Sequence, residues 1–175
     1  VHRMQRLVEL SGTDGLTGLP NRSWLLHRMP RLLDEVRDDA GSLTLALVDL
    51  DRFRFINEEA GHQAGDRALR HFVSMLREEL AHDEWAVRIG GQEFVLLLRQ
   101  PLGTAWEHVD AMRRSLAERG FVPQYGAGRL PLTISAGLAN FPGEATDLSG
   151  LLRRADRRLK RAKREGRNRV VARDD

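Results

Sequence analysis

The run Ser42–Leu50, SLTLALVDL, constrains the fold most. It is apolar nearly throughout, partly β-branched and short, so it reads as a buried strand, and it runs straight into Asp49 and Asp51. Two further strands, Trp85–Ile89 and Phe94–Leu98, flank Gly90–Gly91 and predict a β-hairpin. The stretches LPLTISAGLANF and NRVVA supply two more. Helical spacing lies between them. Asn21 is placed to cap a helix over Arg22–Arg37, and Ala64, Ala68, Leu69, Phe72, Val73 and Leu76 mark another over Gln63–Leu80. Ala105, Val109, Met112 and Leu116 mark a helix over Thr104–Arg119. Leu148, Leu152, Ala155, Leu159 and Ala162 form the stripe of a helix over Leu148–Arg164, which Gly166 stops. Val1–Leu10 reads as a short amphipathic helix. Strands alternating with helices, plus one hairpin, predict an α/β fold with helices packed on a mixed sheet.

With 175 residues, 41% of them hydrophobic, the chain suits one domain with a sizeable core. It has no cysteine, which excludes a disulfide framework and thiolate metal sites and fits a reducing compartment. No apolar run approaches the ~20 residues of a membrane span, and the N-terminus does not read as a signal peptide. A start at Val1 rather than Met suggests a piece of something longer. The formal charge is +3, unevenly placed. Arg153–Arg173 holds eleven Lys/Arg against two acids, a local +9, which leaves −6 for the remainder. Such a division suggests an anionic ligand held at one place, with a solvated helix face as the plainer reading.

Four constellations could carry chemistry. Asp49 and Asp51 lie two apart at a strand end, on one side and about 7 Å from each other along the chain. Buried acids need cations, and hard oxygen ligands suit Mg²⁺ together with substrate phosphates. The alternative is an N-cap, since a helix could begin near Arg52. At the hairpin, Gly90 and Gly91 would allow positive φ and a close approach of the backbone to a ligand; a plain turn is the alternative. Asn57 and Asp66 could offer paired contacts to a nucleobase edge, although Asp66 could equally cap a helix. Lys163 and Arg167, four apart, would share a helix face and could clamp phosphates. No P-loop, zincin or nucleophile-elbow pattern occurs.

Together these segments resemble the GGDEF family of diguanylate cyclases. The resemblance runs from DGLTGLPNR through DLDRFRFINEEAGHQAGDRAL, RIGGQEF and LTISAGLA to ADRRLKRAKREGRNRV. It implies a palm-like α/β domain similar to class III nucleotide cyclases. Positions 1–11 would end an N-terminal signalling or linker helix, 12–173 would form the GGDEF domain, and 174–175 a tail. It also implies condensation of two GTP into cyclic di-GMP, one GTP per subunit of an antiparallel homodimer, with Mg²⁺ or Mn²⁺. A sensory domain would lie upstream, and the location would be cytoplasmic. Asp49, the Leu50 carbonyl, Asp51 and Gln92 match the metal ligands, and Asp49, Gln92 and Glu93 the catalytic positions. Arg52 and Phe53 would line the phosphates, with Arg54 where the family usually has Lys. Asn57 and Asp66 match the guanine-recognising pair, Gly90 and Gly91 the turn against the nucleotide, and Lys163 and Arg167 the phosphate clamp.

Two departures stand out. Gln92 occupies the third position of the signature, where the family carries Asp or Glu, giving GGQEF. Glutamine cannot accept a proton there, and at an effective dielectric of 20 one charge pair ~4 Å apart is worth roughly 4 kcal/mol. That is about a thousandfold in rate. The sequence therefore suggests weak or absent turnover, or alternatively a degenerate GTP-binding module that regulates an attached or partner domain. Upstream, Ala81, His82, Asp83 and Glu84 replace the family's inhibitory R-x-x-D, so feedback by product at that site is not expected. Nucleic-acid binding through the basic helix is disfavoured, because that segment has no aromatic stacking residues.

Overall fold

A computed structural model describes residues 12–123 and 128–175; the expected helix over Val1–Leu10 lies outside them. The elements run α1 (Arg22–Asp38), β1 (Leu43–Leu50), α2 (Phe53–Ala60), α3 (His62–Glu79), β2 (Trp85–Arg88), β3 (Glu93–Leu98), α4 (Leu102–Arg119), β4 (Ile134–Phe141), α5 (Leu148–Arg164) and β5 (Arg169–Val171). The five strands form one sheet in the order β2-β3-β1-β4-β5. Only the β4–β5 pair is parallel, so the sheet is mixed.

β1 is central and buried along its whole length, as its apolar run requires. Its alternating side chains feed two cores. Leu43, Leu45 and Leu47 pack with Leu25, Met29 and Val36 of α1 and with Leu151, Ala155 and Leu159 of α5. Ala46, Val48 and Leu50 pack with Phe72 and Leu76 of α3 and Val109 and Met112 of α4. Asp49 continues the odd-numbered series, so it belongs to the face that α5 covers. α5 lies hard against that face. A Cβ on Gly137 of β4 would sit 2.1 Å from the Ala155 carbonyl oxygen, so only glycine permits this approach.

Most boundaries agree with the sequence pattern. The Asn21 side chain accepts from the Trp24 amide at 3.1 Å and caps α1. α4 starts at Leu102 rather than Thr104 because Pro101 already accepts from the Ala105 amide. β4 is shorter than LPLTISAGLANF, for Leu130 instead makes an isolated bridge to Phe121.

Candidate active site

The site forms where β1 ends. Register sets a row across the sheet: Glu93 of β3 lies opposite Asp49 of β1, and Asp49 lies opposite Ser135 of β4. Side chains directly opposite in antiparallel strands share a face with Cβ atoms about 5 Å apart, and like charges there repel. The countercharge comes from α5. Lys163 stands one turn beyond Leu159 on the stripe that faces the sheet, and its Nζ donates to Asp49 Oδ2. Burial still pushes the Asp49 carboxyl above its ordinary range; the hydrogen bond and charge of Lys163 oppose the shift, while nearby Asp51 adds to it.

Asp51 shares this side, as expected, yet its surroundings differ. Its Oδ1 accepts from Ser135 Oγ at 2.6 Å, and its Oδ2 accepts from Thr133 Oγ1 at 2.8 Å and from the Asn168 amide at 3.0 Å. It does not cap α2; the N-cap position belongs to Arg52, which has φ 57° and makes no side-chain cap bond. The first amides of α2 thus receive no side-chain acceptor from their cap, an arrangement that suits an anion. Phe53 is buried at that turn. Arg54 points into solvent and pairs with Glu58 at 3.1 Å.

Arg167 is not on the helix. α5 ends at Arg164, and Gly166, Arg167 and Asn168 all have positive φ, at 124°, 65° and 48°. This left-handed turn returns the Arg167 guanidinium to within 4.0 Å of Asp51, so Lys163 and Arg167 reach the same site by different routes. The hairpin also departs from expectation. Neither Gly90 nor Gly91 is among the positive-φ glycines. A Cβ on Gly91 would meet nothing within 4 Å, and one on Gly90 would meet the Glu93 side chain at 3.5 Å. The turn therefore leaves open space above its backbone. Gln92 is held beside the exit of β1, because its carbonyl accepts from the Leu50 amide at 3.1 Å.

Asn57 sits on α2 against Gly65 of α3, where a Cβ would fall 1.8 Å from its Oδ1. That close approach brings Asn57 to the turn of α3 carrying Asp66. Asp66 lies inside α3, whose N-cap is Gly61, so it is not a capping residue.

Sequence reasoning missed the brace behind the hairpin. Arg88 donates to the Gly91 carbonyl at 2.8 Å and the Gly90 carbonyl at 3.2 Å, and it pairs with Asp14 at 3.1 Å. Asp14 is held in turn by the Thr17 amide and hydroxyl. Burial works to raise the Asp14 carboxyl, and those bonds together with Arg88 outweigh it and hold the group below its ordinary range. The signal was present in DGLTGLPNR, a turn-rich segment with no chemistry of its own.

Among the described residues no group of three or more His, Cys, Asp or Glu is arranged to hold a metal ion. The donors nevertheless suit Mg²⁺, which binds through one or two carboxylates and completes its shell with water and phosphate oxygens. Asp49, raised by burial and facing a second acid, is the donor that fits, with the Leu50 carbonyl beside it. Asp51, with its oxygens engaged by protein donors, fits less well.

Known proteins resemble this chain in sequence and in fold. A family model described as "Diguanylate cyclase, GGDEF domain" matches residues 11–169. The chain is similar to the diguanylate cyclase DgcP of Pseudomonas aeruginosa, 38% identical over 90% of this chain and 23% of that protein. It is similar also to the response regulator PleD of Caulobacter vibrioides, 32% identical over 97% of this chain and 38% of that one. It thus spans well under half the length of either. Among solved structures, the GGDEF domain of DgcB from Caulobacter crescentus in complex with c-di-GMP superposes with a TM-score of 0.83, at 32% identity, over 92% of this chain and 95% of that one. No helix among the described residues is long and apolar enough to cross a membrane.

Proposed function

The chain belongs to the GGDEF family of diguanylate cyclases, and from that membership we propose that it binds GTP with Mg²⁺ or Mn²⁺ at the end of β1 and condenses two GTP into cyclic di-GMP slowly. The carrying observation is the row of Glu93 and Asp49 under Lys163, beside the uncapped start of α2.

Each residue has a role in this reading. The amides at the start of α2, behind Arg52 and Phe53, hold phosphate oxygens, and the helix dipole adds to their pull. Lys163 leaves Asp49 for the phosphates once the nucleotide arrives, and Arg167 joins it as the forked half of the clamp. Arg54 supplies further positive charge at the rim. Asn57 and Asp66 read the guanine edge, so GTP is preferred over ATP. The space above Gly91 admits the nucleotide. Asp49 and the Leu50 carbonyl would hold the divalent ion, which when bound would supply positive charge to the phosphates and lower the pKa of the attacking 3′-hydroxyl. Glu93 remains as the anion opposite Asp49.

Gln92 is the weak point of the catalytic set. It has nearly the shape of Glu but carries no charge and cannot take the hydroxyl proton. Binding suffers less than turnover, because the guanine pair and the clamp do not involve it. That residue also favours a second reading, in which the domain holds GTP and regulates an attached or partner domain. In the enzymatic reading two copies of the domain meet in an antiparallel homodimer, an upstream sensory domain sets that geometry, and the protein works in the cytoplasm, where GTP is found.

The test incubates the protein and its Gln92→Glu variant with GTP and Mg²⁺ and separates the products. Cyclic di-GMP formation about a thousandfold faster in the variant is expected. Equal turnover would refute the role given to Gln92, and no product from either, with GTP bound by both, would favour the regulatory reading.

A further inference from the structure

We infer that Asp51 is a positioning residue for the phosphate clamp rather than a metal ligand: its carboxylate fastens the left-handed turn that presents Arg167. This rests on the nucleotide-binding reading above and assigns Asp51 a different task within it.

A carboxylate has about four acceptor sites. In Asp51, Ser135 Oγ, Thr133 Oγ1 and the Asn168 amide fill three of them, and the Arg167 guanidinium approaches Oδ1 at 4.0 Å. The residue is 5% exposed, against 6% for Asp49, so burial does not separate the two acids. Their partners do. Asp49 has one hydrogen-bonded cation, Lys163, at the end of a long flexible side chain, with the charge of Arg167 acting from further off. Asp51 has two hydroxyls and a backbone amide, which are fixed by the strand end and the turn. The Asp51 amide also donates to the Thr133 carbonyl at 2.9 Å, so the attachment to the start of β4 is made twice.

The turn requires such an anchor. Arg167 and Asn168 both adopt left-handed backbone conformations that side chains other than glycine take up rarely and at a cost, so they persist where surrounding contacts dictate them. Several contacts do so here. The Arg167 amide donates to the Ala162 carbonyl at 2.9 Å, closing the end of α5. Arg113 of α4 donates to Asn168 Oδ1 at 3.0 Å. The Asn168 amide donates to Asp51, and this is the contact that ties the turn to the end of β1, where the phosphates are proposed to sit. Without the clasp, Arg167 keeps its charge but loses its address.

A metal ligand and a clasp predict different behaviour when the metal is removed. The experiment compares the protein with Asp51→Asn, Arg167→Ala and the double variant, measuring GTP affinity in EDTA and then the Mg²⁺ concentration that restores full affinity. Asp51→Asn should weaken metal-free GTP binding about tenfold, the size of one lost charge-assisted contact, and lower the melting temperature, while the Mg²⁺ midpoint, read where the variant is folded, stays close to that of the parent. The double variant should bind no more weakly than the weaker single one, because both act through one side chain. Unchanged metal-free affinity with a raised Mg²⁺ midpoint would overturn the inference and return Asp51 to the ion.

A ligand-free measurement runs beside it. The Asn168 amide should exchange with deuterium about tenfold faster in Asp51→Asn, and faster to a lesser degree in the milder Thr133→Val. Unchanged exchange overturns the clasp on its own. If the parent bound no GTP at all, the nucleotide reading would fall, and the Asn168 amide would still decide the role of Asp51.

Discussion

Two carboxylate–cation pairs stand at opposite ends of the sheet and behave in opposite ways. At the far end of β4, Glu144 accepts from Arg158 at 2.6 and 2.8 Å, and Arg158 also donates to the Leu138 carbonyl at 2.7 Å and to Asp174 at 3.2 Å. Burial works to raise Glu144, and the hydrogen bonds and charge of Arg158 outweigh it, so the group titrates below its ordinary range. At the end of β1, burial outweighs Lys163 and Asp49 titrates above its ordinary range. One pair is closed by a bidentate guanidinium. The other has a single ammonium serving an acid that faces a second acid, Glu93, across the strands. The fold completes its electrostatics where they hold structure and leaves an anionic surplus where a cation and a nucleotide are proposed to bind.

The sharpest way to break this comparison is to remove each acid's advantage. In the Gln92→Glu background, Asp49→Asn should cut cyclic di-GMP formation at least about a thousandfold while changing stability by less than about 1 kcal/mol. Product assays and denaturant melts check the two halves. A large loss of stability would mean that Asp49 is structural after all. At the other end Arg158→Ala should cost about 3 kcal/mol of stability, because the buried Arg158 takes with it the bidentate partner of the half-buried Glu144 and the donor to the Leu138 carbonyl. GTP affinity should not move, and calorimetric titration at a temperature where the variant is folded reads it.

A smaller effect sharpens the specificity side. Asp66→Ala should weaken GTP binding about tenfold and leave ATP binding as it was, which competition between the two nucleotides measures. The smallest concerns pH. A carboxylate depressed in the folded state contributes stability that is present above its unfolded value and lost as pH falls through its folded one. For Glu144, whose ordinary value is 4.5, the loss begins near that pH and continues below it. Glu144→Gln should remove that part of the acid dependence in melts taken from about pH 6 downward. Asp49 has the reverse sign: its raised value means that its ionised form costs stability at neutral pH and that this cost is relieved as pH falls, so Asp49→Asn should leave the acid-side loss in place and make it slightly steeper.

Much of this was legible in the residue pattern because it is local. A fully apolar strand run, a side-chain cap at Asn21, and the apolar stripe from Leu148 to Ala162 each follow from neighbours a few positions apart. The membership in a family was legible from five ordered motifs. What was not legible depends on distant partners. Asp51 is fixed by residues 82, 84 and 117 positions away, and Arg88 by Asp14 at a separation of 74. Arg167 was misplaced on the helix because four-residue spacing also fits a helix face, whereas the chain turns left-handed at Gly166. The open turn at Gly90–Gly91 shows the same limit: glycine there leaves room above the backbone, where the pattern had suggested a positive φ.

The most direct measurement is a crystal of this protein soaked with a non-hydrolysable GTP analogue and Mg²⁺. The account predicts an ion on Asp49 and the Leu50 carbonyl, Lys163 swung from Asp49 to the phosphates, and guanine beside Asn57 and Asp66. A nucleotide bound elsewhere, or Asp49 still paired to Lys163 with no ion beside it, would contradict it.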